Sequence, residues 1–362
     1  MVQEADNARM TEDIADMIPR LLGSLEALAY VGRHLHPPNL ADLIPHLKER
    51  HAGLVKSRQR LGELPWPGSL AFMQQQIMQS ADHSIGALQT MEKAAAEDNG
   101  VMRAFSALQK TTRAVEALYP IADTLSPISR FFLEPAYRDD AVLLQTLTDA
   151  DASREEVGTM QASNNRDQRG GVSIYVPEYY DESREWPLVV ALHGGSGHGA
   201  DTLWTWLREA RSRGFIVLSP TSRDHTWSLM GDDVDAATID RIVVGSCEQW
   251  NIDKRHILLT GMSDGGTYTL IKGLSQDSPF THLAPISGTF HPLLMEGMVS
   301  VKNRPIYLVH GALDWMFKVD IARLAHETLS RAGAEVVYRE LNDLSHTYPR
   351  EENSGILDWF LN

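Results

Sequence analysis

The apolar pattern of the chain changes its period once, near residue 171, and that change limits the folds open to it. Before it, apolar residues recur every three or four positions. From Thr11 to Leu35 they fall at Ile14, Ile18, Leu21, Leu25 and Leu28, one stripe of a helix that Pro37-Pro38 ends. A second helix is expected from about Leu40 to Leu61, before the turn Pro65-Trp66-Pro67-Gly68. A third is expected from Ser69 to Ala96, with Met73, Ile77, Ile85, Leu88 and Met91 inward and a stop at Asn99-Gly100. A fourth runs from Val101 to Leu118, before Pro120. Four such segments with short breaks predict an antiparallel helical bundle over residues 1–138.

After the change, short continuous apolar runs alternate with helical stretches. Strands are expected at Val172–Val176, Leu188–Leu192, Phe215–Leu218, His256–Thr260, Leu283–Ile286, Ile306–Val309 and Val336–Glu340. Helices are expected over Thr202–Arg213, Asp233–Trp250, Gly266–Gly273, Asp320–Ala332 and Ile356–Leu361. This alternation predicts an α/β domain over residues 171–362, a mostly parallel sheet covered by helices on both faces. Residues 139–170 are polar, with one short helical stretch at Leu143–Leu147, and read as a linker.

Charge narrows the partners. The chain carries 33 Lys+Arg against 48 Asp+Glu, net −15, of which −5 falls in residues 1–150 and −10 in residues 151–362. Neither half offers the basic surface from which nucleic-acid or anionic-lipid binding draws its affinity, so no nucleic-acid partner is expected. No apolar run reaches the roughly 18–20 residues of a membrane span. The acidic start Met1-Val2-Gln3-Glu4-Ala5-Asp6 lacks the order of a signal peptide, which predicts a cytoplasmic protein. The single Cys247 can form neither an internal disulfide nor a Cys-rich metal site.

The strongest chemical signal is Gly261-Met262-Ser263-Asp264-Gly265-Gly266, set between an expected strand and an expected helix. A serine in Gly-x-Ser-x-Gly at such a junction sits on a turn too tight for side chains at its flanks. That turn pushes the hydroxyl up at the strand's end. The second signal is His193-Gly194-Gly195-Ser196-Gly197, directly after Leu188–Leu192. Acyl transfer needs backbone N–H donors aimed at the developing oxyanion, and glycines let the backbone approach. The expected donors are Gly195, helped by Gly194 or Ser196, and Asp264. A phosphate-cradling loop is the alternative, but no Gly-Lys-Ser/Thr follows.

A serine nucleophile needs a base, and the base an orienting acid. Asp314 follows the strand Ile306–Val309 and His346 follows Val336–Glu340, the strand-end loops where such partners are expected. Asp320, at a helix start, reads as a capping or surface residue, and Asp343 as a loop residue. His291 and His326 lie outside the strand-end loops that would supply the base. His310 is expected to brace the loop carrying Asp314, and His193 to be structural. Trp227, Trp315 and Phe317 are candidates for the substrate pocket, with ordinary packing or loop anchoring as the competing role. The acidic cluster Asp232, Asp233 and Asp235 lacks the spacing of a calcium loop and reads as helix N-terminal charge, so no metal is expected.

Taken together, these motifs resemble the α/β-hydrolase superfamily. The nearest branch is that of the phospholipase/carboxylesterase and polyhydroxybutyrate-depolymerase-like esterases. The resemblance rests on Tyr175-Val176-Pro177, the run from Pro187 to Gly195, the elbow at Ser263, Pro285-Ile286-Ser287-Gly288, and His310-Gly311 with Asp314. It implies a serine carboxylesterase acting on small to medium acyl esters through an acyl-serine intermediate, with no metal or organic cofactor. A peptidase or thioesterase on the same three residues stays open. The family often places a small apolar residue and a proline soon after the acid, whereas here Trp315-Met316-Phe317-Lys318 follow. The helical first part carries no such resemblance. It is expected to cap the site or to join copies of the chain into a homo-oligomer, and a reading in which it is the main functional, binding unit also remains.

Overall fold

The structure, a computed structural model, describes residues 2–97, 100–291 and 299–362, with side chains from Arg9 onward; the helix stop expected at Asn99 lies outside them. The chain divides into two units, residues 1–140 and 141–362. The first holds α1 (Val2–Arg33), α2 (Leu40–Leu43), α3 (Pro45–Gly62), α4 (Ala71–Ala95), α5 (Val101–Leu118) and α6 (Ser126–Phe131). The single helix expected over Leu40–Leu61 is broken at Ile44. Pro45 supplies no N–H to the preceding turn and opens α3 instead, the first-turn position that suits proline.

Within this unit α1 packs on α3 and α5, and α4 on α3 and α5. Leu21, Leu25, Leu28, Ile77, Leu88 and Met91 are buried as their spacing predicts, while Met73 and Ile85 are half-buried. α5 turns a row of small residues inward, Ala104, Ala107, Ala114 and Ala117. The α4 and α5 backbones approach closely enough for the Ser80 hydroxyl to donate to Ala114 O at 2.7 Å.

The second unit begins with α7 (Ala141–Asp149), followed by strands β1 (Gly158–Ala162), β2 (Val172–Val176), β3 (Trp186–Leu192), β4 (Ile216–Pro220), β5 (Ile252–Met262), β6 (His282–Ile286), β7 (Pro305–Gly311) and β8 (Glu335–Leu341). They form one sheet in the order β1-β2-β4-β3-β5-β6-β7-β8. β2 is antiparallel to both β1 and β4, and every other pairing is parallel. The stretch expected as linker therefore contains a helix and an edge strand. β1 pairs on one side only and leaves Thr159, Gln161 and Ala162 exposed, so it lacks the apolar run that marks the inner strands.

Helices cover the sheet: α8 (Gly199–Thr202), α9 (Leu207–Arg213), α10 (Ala236–Gln249), α11 (Asp264–Gly273), α12 (Val319–Arg331) and α13 (Glu352–Phe360). The helix expected over Thr202–Arg213 is interrupted by a 3-10 turn at Leu203–Thr205 that buries Trp204 and leads into the buried Trp206. α10 starts at Ala236 because Asp233 Oδ1 accepts the N–H groups of Asp235 and Ala236, ending the loop in front of it. With β3 to β8 parallel, the loops after β3, β4, β5, β7 and β8 leave the same edge of the sheet, and the candidate residues stand on those loops.

Candidate active site

Ser263 lies between β5 and α11 at φ 58° and ψ −122°, a conformation that costs a residue with a side chain on the order of 1–3 kcal/mol. Its neighbours enforce it. A Cβ on Gly265 would stand 2.5 Å from His193 O, so only glycine lets the turn pass this close to β3. The Ser263 N–H donates to Ile286 O at 2.9 Å and ties the turn to β6.

The structure brings Ser263, His346 and Asp314 together. Ser263 Oγ is 3.0 Å from His346 Nε2, and His346 Nδ1 is 2.8 Å from Asp314 Oδ2. An ionised carboxylate only accepts, so Nδ1 carries the proton and Nε2 faces the hydroxyl with a lone pair. Asp314 is buried, and its other oxygen accepts the N–H groups of Met316 at 2.9 Å and Phe317 at 2.8 Å. These two bonds fix the carboxylate's orientation independently of the histidine. The Phe317 ring stands edge-on to His346, 5.3 Å between centroids at 87°. His310, fully buried, donates from Nε2 to Phe317 O at 2.8 Å and so braces the loop carrying Asp314. Burial lowers its pKa and keeps it neutral.

The loop after β3 brings its glycines against the serine turn. A Cβ on Gly194 would stand 3.4 Å from Ser263 Cβ. The Ser196 N–H is taken by His225 O, whereas among the described residues the N–H groups of Gly195 and Asp264 have no backbone partner. His193 is 2% exposed and structural. Its Nε2 accepts the Ser222 N–H at 3.0 Å, which leaves Nδ1–H to donate to Gly194 O at 2.7 Å. Burial pulls its pKa down to about 3.

The pocket candidates separate. Phe317 touches His346, while Trp315 stands 43% exposed beside it in sequence, next to an exposed Met316. Trp227 is buried and anchors a loop: its indole N–H donates to His193 O at 2.7 Å and its ring stacks on Tyr268. That is the anchoring alternative rather than a pocket wall. Asp320 is an exposed partner of Arg323, and His326 stacks on Tyr338, both outside the cluster. Asp233 accepts from the Tyr268 hydroxyl, and Asp235 from the Arg223 and Ser228 N–H groups, so the acidic cluster organises its own loop. Among the described residues no group of His, Cys, Asp or Glu is placed to hold a metal.

Two residues escaped the sequence reading. Thr226 donates to Asp264 Oδ2 at 2.6 Å. Arg169 donates to Ser222 O and Oγ and to Gly197 O, bridging the loops after β3 and β4. Arg169 falls in the stretch read as linker, and nothing in the pattern around Thr226 marks it.

This sheet order, with the strained serine between β5 and α11 and a histidine–aspartate pair from the last two strand ends, is the architecture of the α/β hydrolases. Residues 233–360 match the family model described as phospholipase/carboxylesterase, a stretch holding Ser263, Asp314 and His346. The chain is 28% identical over 155 residues to the bifunctional acetylxylan esterase/xylanase XynS20E of Neocallimastix patriciarum, covering 41% of this chain and 22% of that protein. It is 26% identical over 159 residues to the probable feruloyl esterase C of Aspergillus terreus, covering 41% of this chain and 56% of that protein. The match thus spans well under two thirds of either relative. Among solved structures, a thermostable esterase aligns at 22% identity with TM-score 0.46, over 57% of this chain and 63% of that one. The propionate-bound esterase Est2 of Thermogutta terrifontis aligns at 17% identity with TM-score 0.44, over 57% and 95%.

Proposed function

We propose that residues 141–362 form a serine carboxylesterase acting on small to medium acyl esters. The observation that carries this reading is the continuous relay from Ser263 Oγ through His346 to Asp314, at 3.0 and 2.8 Å. His346 Nε2 takes the hydroxyl proton as Ser263 Oγ attacks the ester carbonyl. The Gly195 and Asp264 N–H groups, with Gly194 shaping the loop, receive the negative charge on the carbonyl oxygen. The imidazolium, held in place by Asp314, gives its proton to the leaving alcohol. Water, deprotonated by the same nitrogen, then releases the acid and restores the serine.

The matched family and the esterases among the relatives support an ester rather than an amide or thioester as substrate. The relatives' names make acetylated xylan and feruloyl esters the natural ones to try after simple ones. Hydrolysis of a p-nitrophenyl series from acetyl to palmitoyl, by the parent and by Ser263→Ala, tests the reading. Activity in the parent that the alanine abolishes supports it, and the chain-length optimum sizes the acyl pocket. A parent inert on every ester but active on peptides or thioesters replaces it with those activities.

For residues 1–140 the reading is an assembly, capping or binding unit; Phe72 and Met102 stand exposed on its helices. Sedimentation of the whole chain tests it. A monomer removes assembly and leaves the capping and binding readings.

A further inference from the structure

One three-residue stretch, His225-Thr226-Trp227, is bonded both to the loop after β3 and to α11, the two elements that carry the proposed oxyanion donors. Toward the loop after β3, His225 O accepts the Ser196 N–H at 2.8 Å and Trp227 Nε1–H donates to His193 O at 2.7 Å. Toward α11, the Thr226 hydroxyl donates to Asp264 Oδ2 at 2.6 Å, and the Trp227 ring lies on Tyr268 at 5.4 Å and 15°. Tyr268 in turn donates to the Asp233 carboxylate at 2.6 and 2.8 Å, which returns the contacts to the loop they started from. The Asp264 carboxylate is also what Gly195 stands against. A Cβ on Gly195 would come within 2.6 Å of Oδ2, the oxygen that Thr226 holds.

The N–H groups proposed to share the oxyanion belong to Gly195 and Asp264, and they come from loops of different strands. Their separation is set by whatever holds those loops together. Stabilisation of this kind depends on donors lying about 2.7–3.1 Å from the charge that develops, so a small widening weakens it steeply.

We infer that Thr226 is a positioning residue for acyl transfer: by pinning the Asp264 carboxylate against Gly195, it holds the two oxyanion donors at their working separation. The inference rests on the serine-hydrolase reading above. It needs the hydroxyl of Thr226 and not its methyl group. Loss of one donor outright costs about 10²–10³ in kcat, so loosening the pair is expected to cost about 10–100-fold.

The test uses the full chain and the p-nitrophenyl ester it hydrolyses best. Thr226→Val keeps the shape and removes the donor. It is expected to lower kcat about 10–100-fold with KM within about threefold, and to weaken binding of a boronic acid transition-state analogue by the same factor as kcat/KM. Thr226→Ser is expected to stay within about threefold of the parent. Asp264→Ala is expected to match Thr226→Val, and the double variant to be no worse than either single one, because both remove one contact. An active parent with Thr226→Val at parental kcat overturns the inference alone. So does a loss confined to KM, a Thr226→Ser variant as poor as the valine, or additive losses in the double variant. Should Thr226→Val fail to fold, Asp264→Ala decides by the same criterion. A parent that neither hydrolyses esters nor takes up a fluorophosphonate at Ser263 overturns the hydrolase reading and this inference with it.

Discussion

The two units solve the same problem, burying apolar surface, with different tolerance for cost. In residues 1–140 the buried polar side chains are mostly small hydroxyls, such as Ser24, Ser57, Ser80 and Ser84. Among the described residues, that unit has no residue at positive φ. In residues 141–362 the residues with side chains at positive φ include Ser196, Ser263 and Ser287, and His193, His310, Asp314 and His346 are all buried. A conformation of that kind costs about 1–3 kcal/mol, and an ionisable group in the interior must be hydrogen-bonded or neutral. Such features persist where the surrounding structure over-determines them. Ser263, with the buried His310, Asp314 and His346, brings several such costs together around one hydroxyl, while others, such as positive φ at Ser163, Asp277 and Asn303 and the buried Glu134 of the first unit, lie elsewhere.

The sharpest way to break that contrast is to remove the hydroxyl. Ser263→Ala is expected to lower kcat by about 10⁴-fold or more while thermal unfolding changes little, as steady-state kinetics and calorimetry on one preparation would show. Asp314→Asn follows, with a loss of about 10³–10⁴-fold. The amide's oxygen and nitrogen no longer force the proton onto Nδ1, so the loss should fall in kcat more than in KM.

The next test concerns stability against pH. The His193 pKa is about 3 when folded against an ordinary 6.5, so between those values the unfolded chain holds a proton that the folded chain does not. Stability is then full above pH 6.5 and falls as pH drops toward 3, by an amount on the order of 4 kcal/mol. Denaturant titrations across that window should show the fall, and His193→Gln should flatten it. In the helical unit, Leu88→Ala should cost about 3 kcal/mol through the cavity it leaves, with kcat per folded molecule unchanged. The smallest effect is the most direct test of strain. Ser263→Gly should abolish activity yet raise stability by about 1 kcal/mol, read as a higher Tm.

Much of this architecture could be read from the amino acids alone, and the parts that could were those repeated by several independent signals. Ser263 announces itself through its glycines, the apolar strand before it and the helix after it. Asp314 was legible because it follows β7, a buried strand with a continuous apolar run, whereas His346 follows β8, a half-exposed edge strand, and was placed by the strand–helix alternation and the order in which acid and base follow the serine. β1 was not legible, since an edge strand with one neighbour and an exposed face needs no apolar run. The break at Pro45 carried its signal in plain sight, a proline inside an apolar periodicity that otherwise continues across it. The roles of Arg169 and Thr226 were beyond reach for a different reason. A side chain bridging loops from different strands has partners 28 to 53 residues away, and local sequence holds no trace of them.

The position of β5 has a consequence for how the molecule is made. β1 to β4, all earlier in the chain, lie to one side of β5, and β6 to β8, all later, lie to the other. While the chain is being synthesised, β3 must therefore present a bare edge until β5 emerges to cover it. That interval offers a template for mispairing with neighbouring nascent chains. The same order also staggers the arrival of the reactive groups. In the proposed mechanism the oxyanion loop comes first, the serine next and its base last, so a chain interrupted before His346 would carry the proposed nucleophile without the proposed base.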